Sequence, residues 1–238
     1  PNPTAAAWSI RGEQPEQPGH LHSEDEMQTV AALFVDPKGP YWSDPRCDCW
    51  DEKRDARNYA GPLPVVAHPP CGRWCRLAKL VESRYPHLKV GDDSGCFSRA
   101  LELVRRFGGV LEHPAWSLAW GAHGLLIPDV GGWSRVEFED GWFDCSRKGY
   151  VCEVNQAAYG HAATKATWLY YAGDVPPATM NWSRAKGTKV IGSCTRRGDG
   201  TIWRRNADRM HSGTHLTPTA FANALVELAE KSNGTSNP

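Results

Sequence analysis

Short apolar runs of strand length alternate with stretches of helical periodicity along the middle of this chain. The run at 29–35 (TVAALFV) is followed by the loop sequence DPKGP, and the run at 64–68 (PVVAH) ends at Pro-Pro-Cys. Short apolar runs bounded by turn signals are typical of buried strands. Because strands that alternate with helices form sheets covered on both faces, we expect an α/β fold with a mostly parallel central sheet.

The remaining segments extend this pattern. The predicted helices are 74–85, 97–107 and 217–229, and the further predicted strands are 110–112, 150–154 and 166–172. Asp93 or Ser94 is expected to cap the second helix and Gly108 to end it, while Thr217, followed by Pro, caps the last. The stretch 116–148 is rich in Gly and Trp and is expected to be mostly loop.

Length and charge restrict the class of protein. The 238 residues suit one domain, for which we expect a flexible leader at 1–26 and a folded unit at 27–238. Lys plus Arg and Asp plus Glu both number 27, so the chain is not a globally basic binder, although a local basic patch remains compatible with this balance. No apolar run reaches the roughly 20 residues of a membrane helix, and no secretory signal is visible. We therefore expect a cytoplasmic protein.

Three marked sequences follow predicted strands: the loop at 36–41, His68-Pro-Pro-Cys71 and Glu112-His-Pro. Ligands of open α/β sheets bind beyond the carboxyl ends of the strands. Cys71 lies between a strand and a predicted helix start, where backbone N–H groups and the helix dipole are expected to favour a thiolate. It is therefore a candidate nucleophile, with an inert buried cysteine as the alternative. Glu112 leaves a buried strand, where a carboxylate needs either a catalytic role or a partner such as a salt bridge or helix cap.

The segment 174–209 is polar and rich in arginine, and we expect it to contact DNA as a small insertion. Its alternative is a solvated loop. The candidate DNA-binding residues within it are Arg196, Arg197, Trp203, Arg204 and Arg205.

Other candidates are interpreted as structural. His68 and His161 are expected to be satisfied structural histidines, and the tryptophans at 116, 120, 133 and 142 to be packing residues. The eight cysteines lack the paired spacing of common zinc modules, so no metal site is expected.

The string VVAHPPCGRW, followed about forty residues later by GGVLEHPA, resembles the cytosine-C5 DNA methyltransferase superfamily. It is most similar to compact phage-type members with His-Pro-Pro-Cys. The resemblance implies a Rossmann-like methyltransferase fold in which Cys71 attacks C6 of a flipped-out cytosine and Glu112 contacts N3. It also implies a basic residue at Lys165 in the segment 156–172.

The same resemblance implies S-adenosylmethionine as the cofactor. The cofactor contacts that it implies are Phe34, Asp36, Asp51, Asp55, Pro69 and Thr217, and its further DNA contacts are Arg73 and Gln156. The chain departs from the family pattern in three places. Its first loop reads FVDPKGP rather than a glycine-rich motif, Gly72 replaces a glutamine, and His113 replaces an asparagine.

The expected function is therefore that of a monomeric, S-adenosylmethionine-dependent DNA cytosine-5 methyltransferase in the cytoplasm of a bacterium or phage-infected host. Two alternatives remain open. One is a cytosine-modifying enzyme that uses a different donor on the same scaffold, and the other is a non-catalytic DNA-binding homologue.

Overall fold

The computed structural model describes residues 27–136, 148–189, 191 and 216–234. Within these ranges the strands are β1 (Val30–Leu33), β2 (Cys47–Trp50), β3 (Val65–Ala67), β4 (Gly109–Pro114), β5 (Ser134–Val136), β6 (Lys148–Asn155) and β7 (Ala166–Gly173). The α-helices are α1 (Ala78–Arg84), α2 (Cys96–Phe107), α3 (Leu118–Ala122) and α4 (Thr219–Lys231), and short 3-10 helices lie at Pro40–Ser43, Ala56–Asn58 and Gln156–Tyr159. None of the helices in these ranges is long and apolar enough to cross a membrane. The predicted leader at 1–26 lies outside the described residues.

The seven described strands form one mixed sheet in the order β2-β1-β3-β4-β7-β6-β5. The four strands β2, β1, β3 and β4 are parallel, whereas β7, β6 and β5 join by antiparallel pairings. The predicted α/β class is confirmed, but the sheet is parallel in one half only.

The length of the connections explains this division. Residues 68–108 between β3 and β4 hold α1 and α2, which is enough chain for a parallel crossover. Residues 156–165 between β6 and β7 are too few for a crossover, so the two strands pair as a hairpin. Alternation of apolar residues does not reveal this direction, because both strands are buried.

Alternate residues of the parallel strands supply two cores. Ala31 and Leu33 of β1 pack on the side of α2, around Phe97. Val30 and Ala32 pack on the opposite side with the apolar face of α4. Both faces of this half of the sheet are therefore covered, as the continuous apolar runs of its strands require.

Helix α2 begins and ends as the sequence predicts. The carboxylate of Asp93 accepts hydrogen bonds from the backbone N–H of Phe97 at 2.8 Å and from Nε1 of Trp74 at 2.8 Å. Gly108 ends the helix with a positive φ of 82°, which glycine adopts without a Cβ penalty. Asp93 thus fixes the start of α2 and also ties it to the segment that follows β3.

Several elements differ from expectation. Strand β2 was not predicted, because its sequence CDCW lacks an apolar run, and α3 and β5 lie inside the predicted loop 116–148. Helix α1 starts only at Ala78, and the apolar residues Leu77 and Leu80 of the predicted stripe are exposed. Helix α4 starts at Thr219 after Pro218 rather than at Thr217.

Candidate active site

The order of strands in the sheet reverses between β1 and β3. The chain passes from β1 to β2 at one side and then places β3 at the other side of β1. The loops that follow β1 and β3 therefore diverge around a crevice at the carboxyl edge of the sheet. Such a topological switch point is where open α/β sheets bind their ligands.

The carboxylate of Glu112 lies on β4 beside this crevice and is 7% exposed. Its Oε2 lies 3.0 Å from Nδ1 of His68, and its Oε1 accepts a hydrogen bond from Nε2 of Gln156 at 3.0 Å. Burial alone would raise the pKa of Glu112, but the hydrogen bond from His68, together with the charge of Lys165, holds it well below its usual range. Glu112 is therefore an ionised carboxylate fixed by two partners.

His68 connects Glu112 to the loop that follows β1. Its Nε2 lies 2.7 Å from the hydroxyl of the buried Tyr41. Burial, with the nearby Glu112 carboxylate, raises the pKa of Tyr41 far above its ordinary value, so the phenol keeps its proton and donates it to Nε2. Nδ1 then carries the ring proton and donates to Glu112. The three side chains form one directed chain of hydrogen bonds from Tyr41 to Glu112.

Gln156 is fully buried beneath Glu112 rather than at a DNA-facing surface. Its Nε2 also donates to Oγ1 of Thr167 at 2.9 Å. This orientation is required because the opposite one would place the amide oxygen against the Glu112 carboxylate. Its amide group thus holds Glu112 in place, and the implied DNA contact of Gln156 stays a prediction.

Cys71 is half-buried two residues beyond the buried Pro69. Burial, followed by the Glu112 charge, raises the pKa of its thiol, and Lys165 opposes this shift. The expected activation by a helix N-terminus is wrong, because residues 71–77 form turns and α1 begins only at Ala78. The Cys71 thiol therefore carries its proton until a base or a bound substrate changes its surroundings.

The three candidate catalytic residues nevertheless share one site. Lys165 is half-buried just before β7, and its charge acts on both Cys71 and Glu112. Because β7 runs antiparallel to β4, its first residues lie at the same edge as the last residues of β4. The structure thus brings together Cys71, Glu112 and Lys165 from three strand ends.

Most of the candidate cofactor residues lie at this edge too. Phe34 follows β1 with a positive φ of 59°, an unusual conformation for a bulky residue, and Asp36 is exposed in the next turn, where it accepts from the N–H of Lys38. Asp51 follows β2, where its buried carboxylate accepts from the N–H of Arg54 at 2.9 Å. Asp55 instead forms an ion pair with Arg57 at 2.8 Å.

Thr217 precedes α4, whose N-terminal end is at the carboxyl edge. Phe221 in the first turn of α4 packs on Tyr159, which follows β6, with 4.9 Å between ring centroids. At the other end of α4, Glu230 accepts a hydrogen bond from Thr29 at the start of β1. The positive end of the helix dipole therefore faces the same side of the sheet as the crevice.

The DNA-binding candidates are only partly described. Arg73 is half-buried in the turn after Cys71. The first part of the arginine-rich segment runs beside the residues that follow β6, where Nδ2 of Asn155 donates to the carbonyl of Ala185 at 2.6 Å. Arg184 and Lys186 are exposed there. The candidates that lie outside the described residues are Arg196, Arg197, Trp203, Arg204 and Arg205.

Sequence reasoning did not single out Tyr41 as a site residue. It interpreted His68 as a structural histidine and did not foresee its hydrogen bond to Glu112. The signal for His68 was its position, since it directly precedes Pro-Pro-Cys at the end of β3. His161 is only partly satisfied, because its Nδ1 bonds the backbone of Ala163, whereas its buried Nε2 has no hydrogen-bond partner among the described residues. Trp116 does not fit the packing interpretation, since its side chain is 54% exposed. In the part of the chain that the structure describes, no cluster of three or more His, Cys, Asp or Glu residues could hold a metal ion.

No known family model, curated protein or solved structure matches this chain.

Proposed function

We propose that this chain is a DNA cytosine-5 methyltransferase with a Rossmann-like fold, in which Cys71 is the nucleophile and Glu112 contacts the target base. The observation that carries the proposal is the convergence of Cys71, Glu112 and Lys165 at the carboxyl edge, next to the switch point of the sheet. Cys71 stands in the motif VVAHPPC and Glu112 in the motif VLEHP, and both motifs resemble those of the superfamily.

The chemistry requires a nucleophile at C6 of the cytosine ring and a proton at N3. The Cys71 thiolate adds to C6 of cytosine, and the electron pair of the C5–C6 double bond becomes available at C5. Bound S-adenosylmethionine would supply the methyl group to C5, and its sulfonium would become a neutral thioether as the methyl–sulfur bond breaks. A base then removes the C5 proton, and the C6–S bond breaks to release the thiolate. The balance is one methyl gained by C5 and one proton released. The target base must leave the helical stack to reach Cys71.

The His68 network supports the proton side of this reaction. Addition of the thiolate increases negative charge at N3 of cytosine, which an ionised carboxylate alone would repel. A proton on Glu112 removes this repulsion, and His68, 3.0 Å away, can pass one from Nδ1 once its ring has taken up a proton from solvent at Nε2. The phenol of Tyr41 keeps its proton and orients His68 through its own 2.7 Å hydrogen bond. In this account His68 and Tyr41 are positioning residues that act through Glu112.

The polar groups around the crevice fit S-adenosylmethionine, which supplies an electrophilic methyl group on a sulfonium. The Asp51 carboxylate after β2 is suited to ribose hydroxyls, and the carboxylate of Asp36 after β1 to an ammonium group. The N-terminal end of α4, preceded by Thr217, favours a carboxylate. Asp55 is excluded from our proposed set because Arg57 already engages it.

The test is mass spectrometry of nucleosides from host DNA after expression of the chain. We compare the wild type with Cys71→Ala, and use Cys75→Ala as the matched control because Cys75 is a half-buried thiol in the same turn. The proposal requires 5-methylcytosine with the wild type and Cys75→Ala but not with Cys71→Ala. A methylated cytosine that persists in Cys71→Ala contradicts it.

A second candidate is a cytosine-modifying enzyme that uses another donor. The observation that favours it is the loop after β1, which contains Pro37 and Pro40 and lacks the glycine-rich motif of the family. Proline has no backbone N–H, so this loop offers fewer donors to a cofactor carboxylate. A Cys71-dependent mass increment other than one methyl group would support this second candidate over the first.

A further inference from the structure

A cleft of about 510 Å³ lies on the α2 side of the sheet, against the candidate active site. Its walls include the indole rings of Trp116, Trp120 and Trp168, with Ile127 and Arg76 at its margin. This volume is in the range of small-ligand sites, and the lining is mainly aromatic. No acidic side chain is found among the lining residues that the structure describes.

Trp116 is the most unusual residue of this cleft. Its side chain is 54% exposed, and its backbone has a positive φ of 67°, which a bulky residue rarely adopts. Its ring lies 5.4 Å from that of Trp168, at an angle of 56°. Trp168 is itself held in place, because its Nε1 donates to Glu153 at 2.8 Å. Trp168 is only 2% exposed, so the accessible aromatic surface of the pair belongs to Trp116.

The cleft borders the turn that follows Cys71. Trp116 follows Glu112 by four residues, and the N–H of Leu118 donates to the carbonyl of Trp74, in the turn that begins at Cys71. Arg76 belongs to the same turn segment. A nucleic acid strand that presents one base to Cys71 thus meets the aromatic cleft with a neighbouring nucleotide.

We propose that this cleft binds an unpaired nucleobase of the DNA substrate, stacked on Trp116, with an adjacent phosphate at Arg76. Aromatic rings stack with every base, and a positive charge without acidic neighbours suits a phosphate. The proposal rests on the proposed function and adds to it that the substrate is locally single-stranded beside the target cytosine. The flat ring of the base contacts the indole of Trp116, and the anionic phosphate contacts the guanidinium of Arg76.

The test is the affinity of the full chain for a fluorescein-labelled single-stranded oligodeoxynucleotide, measured by anisotropy. Trp116→Ala should weaken binding about tenfold, which is the loss of one base stack, whereas Trp116→Phe should retain most of it. Trp42→Ala is the matched control, because Trp42 is an exposed tryptophan beside Tyr41, on the α4 side. Arg76→Ala should reduce the slope of log affinity against log salt by about 0.7.

The outcomes separate this proposal from the proposed function. If Trp116→Ala binds the strand as tightly as the wild type, the cleft proposal is overturned, even when Cys71-dependent methylation is observed. If Trp116→Ala weakens binding but no Cys71-dependent product forms, the cleft proposal stands and the methyltransferase assignment fails. If Trp42→Ala weakens binding as much as Trp116→Ala, the effect is not specific to the cleft and the proposal is contradicted.

Discussion

Nδ1 of His68 lies 3.0 Å from Oε2 of Glu112 and joins the carboxyl ends of two neighbouring parallel strands. The contact explains how a carboxylate that is 7% exposed remains ionised. It also fixes the imidazole beside the carboxylate, because His68 is in turn hydrogen-bonded to Tyr41. The account makes His68 a functional residue rather than a structural one.

His68→Asn tests this role. Asparagine can keep a hydrogen bond near the Nδ1 position but cannot pass a proton, so we expect the variant to fold and bind DNA while its turnover falls about a hundredfold or more. The pH profile of turnover should also lose the contribution of the imidazole. His161→Asn serves as the control, since His161 only bonds its local backbone. Wild-type turnover in His68→Asn would exclude the relay.

Gln156→Leu distinguishes a buried support from a DNA contact. The change removes the hydrogen bonds to Glu112 and Thr167 and leaves both buried acceptors with one partner fewer. We expect a loss of about 1–3 kcal/mol in the free energy of unfolding, measured with urea. DNA affinity should stay close to that of the wild type, in contrast to Arg73→Ala. A large loss of DNA affinity with unchanged stability would restore Gln156 to the DNA interface.

His113 gives the fold a predictable sensitivity to acid. It is fully buried between Phe97 and Trp120, and burial lowers its pKa from 6.5 to about 4, against the opposing charge of Glu112. Neither ring nitrogen makes a hydrogen bond of standard geometry to a described residue, although the Pro70 carbonyl lies close enough to favour the protonated ring. The ring is therefore neutral in the folded chain at neutral pH.

The unfolded chain binds a proton at His113 below about pH 6.5, whereas the folded chain does so only near pH 4. The free energy of unfolding must then fall as the pH decreases through this window. The contribution of His113 to this fall is about 2 kcal/mol between pH 7 and pH 5. His113→Phe removes the titrating group and should flatten this part of the profile, measured by urea unfolding at both pH values. An equally steep profile in His113→Phe would assign the sensitivity to other groups.

Gly109→Ala tests the close approach of β3 and β4. Gly109 has a φ of 115°, and a Cβ there would overlap the backbone of Val65. Both effects are unfavourable, so we expect a loss of more than about 3 kcal/mol in unfolding free energy or failure to fold. Gly121→Ala is the control, because a Cβ at this position of α3 meets nothing within 4 Å. Equal stability of the two variants would refute the predicted clash.

Sequence reasoning located the site because the chemistry lies at strand ends. Cys71 and Glu112 each follow a buried apolar run, and parallel strands bring such ends to one edge. The same logic could not give the direction of β6 and β7, which depends on the length of their connection. It also could not show that residues 71–77 form turns, so the helix expected to activate Cys71 was placed too early.

Side-chain partners were less predictable than strand ends. Gln156 was assigned to DNA by resemblance, but its burial depends on how β6 packs against β4 through β7. Trp116 and Trp120 are similar in sequence context, yet Trp120 is buried and Trp116 is exposed by its left-handed backbone. Such a backbone conformation at a tryptophan has no signal in composition or periodicity.

Trapping of Cys71 on DNA that contains 5-fluorocytosine tests the central claim most directly. Fluorine at C5 cannot leave as a proton does, so an enzyme that adds Cys71 to C6 and transfers a methyl group remains attached to the DNA. We expect an adduct stable to denaturation with S-adenosylmethionine present, formed by the wild type and Cys75→Ala but not by Cys71→Ala. Absence of the adduct on DNA that the wild type binds, with the cofactor present, would contradict the assignment of Cys71 as a cytosine-directed nucleophile.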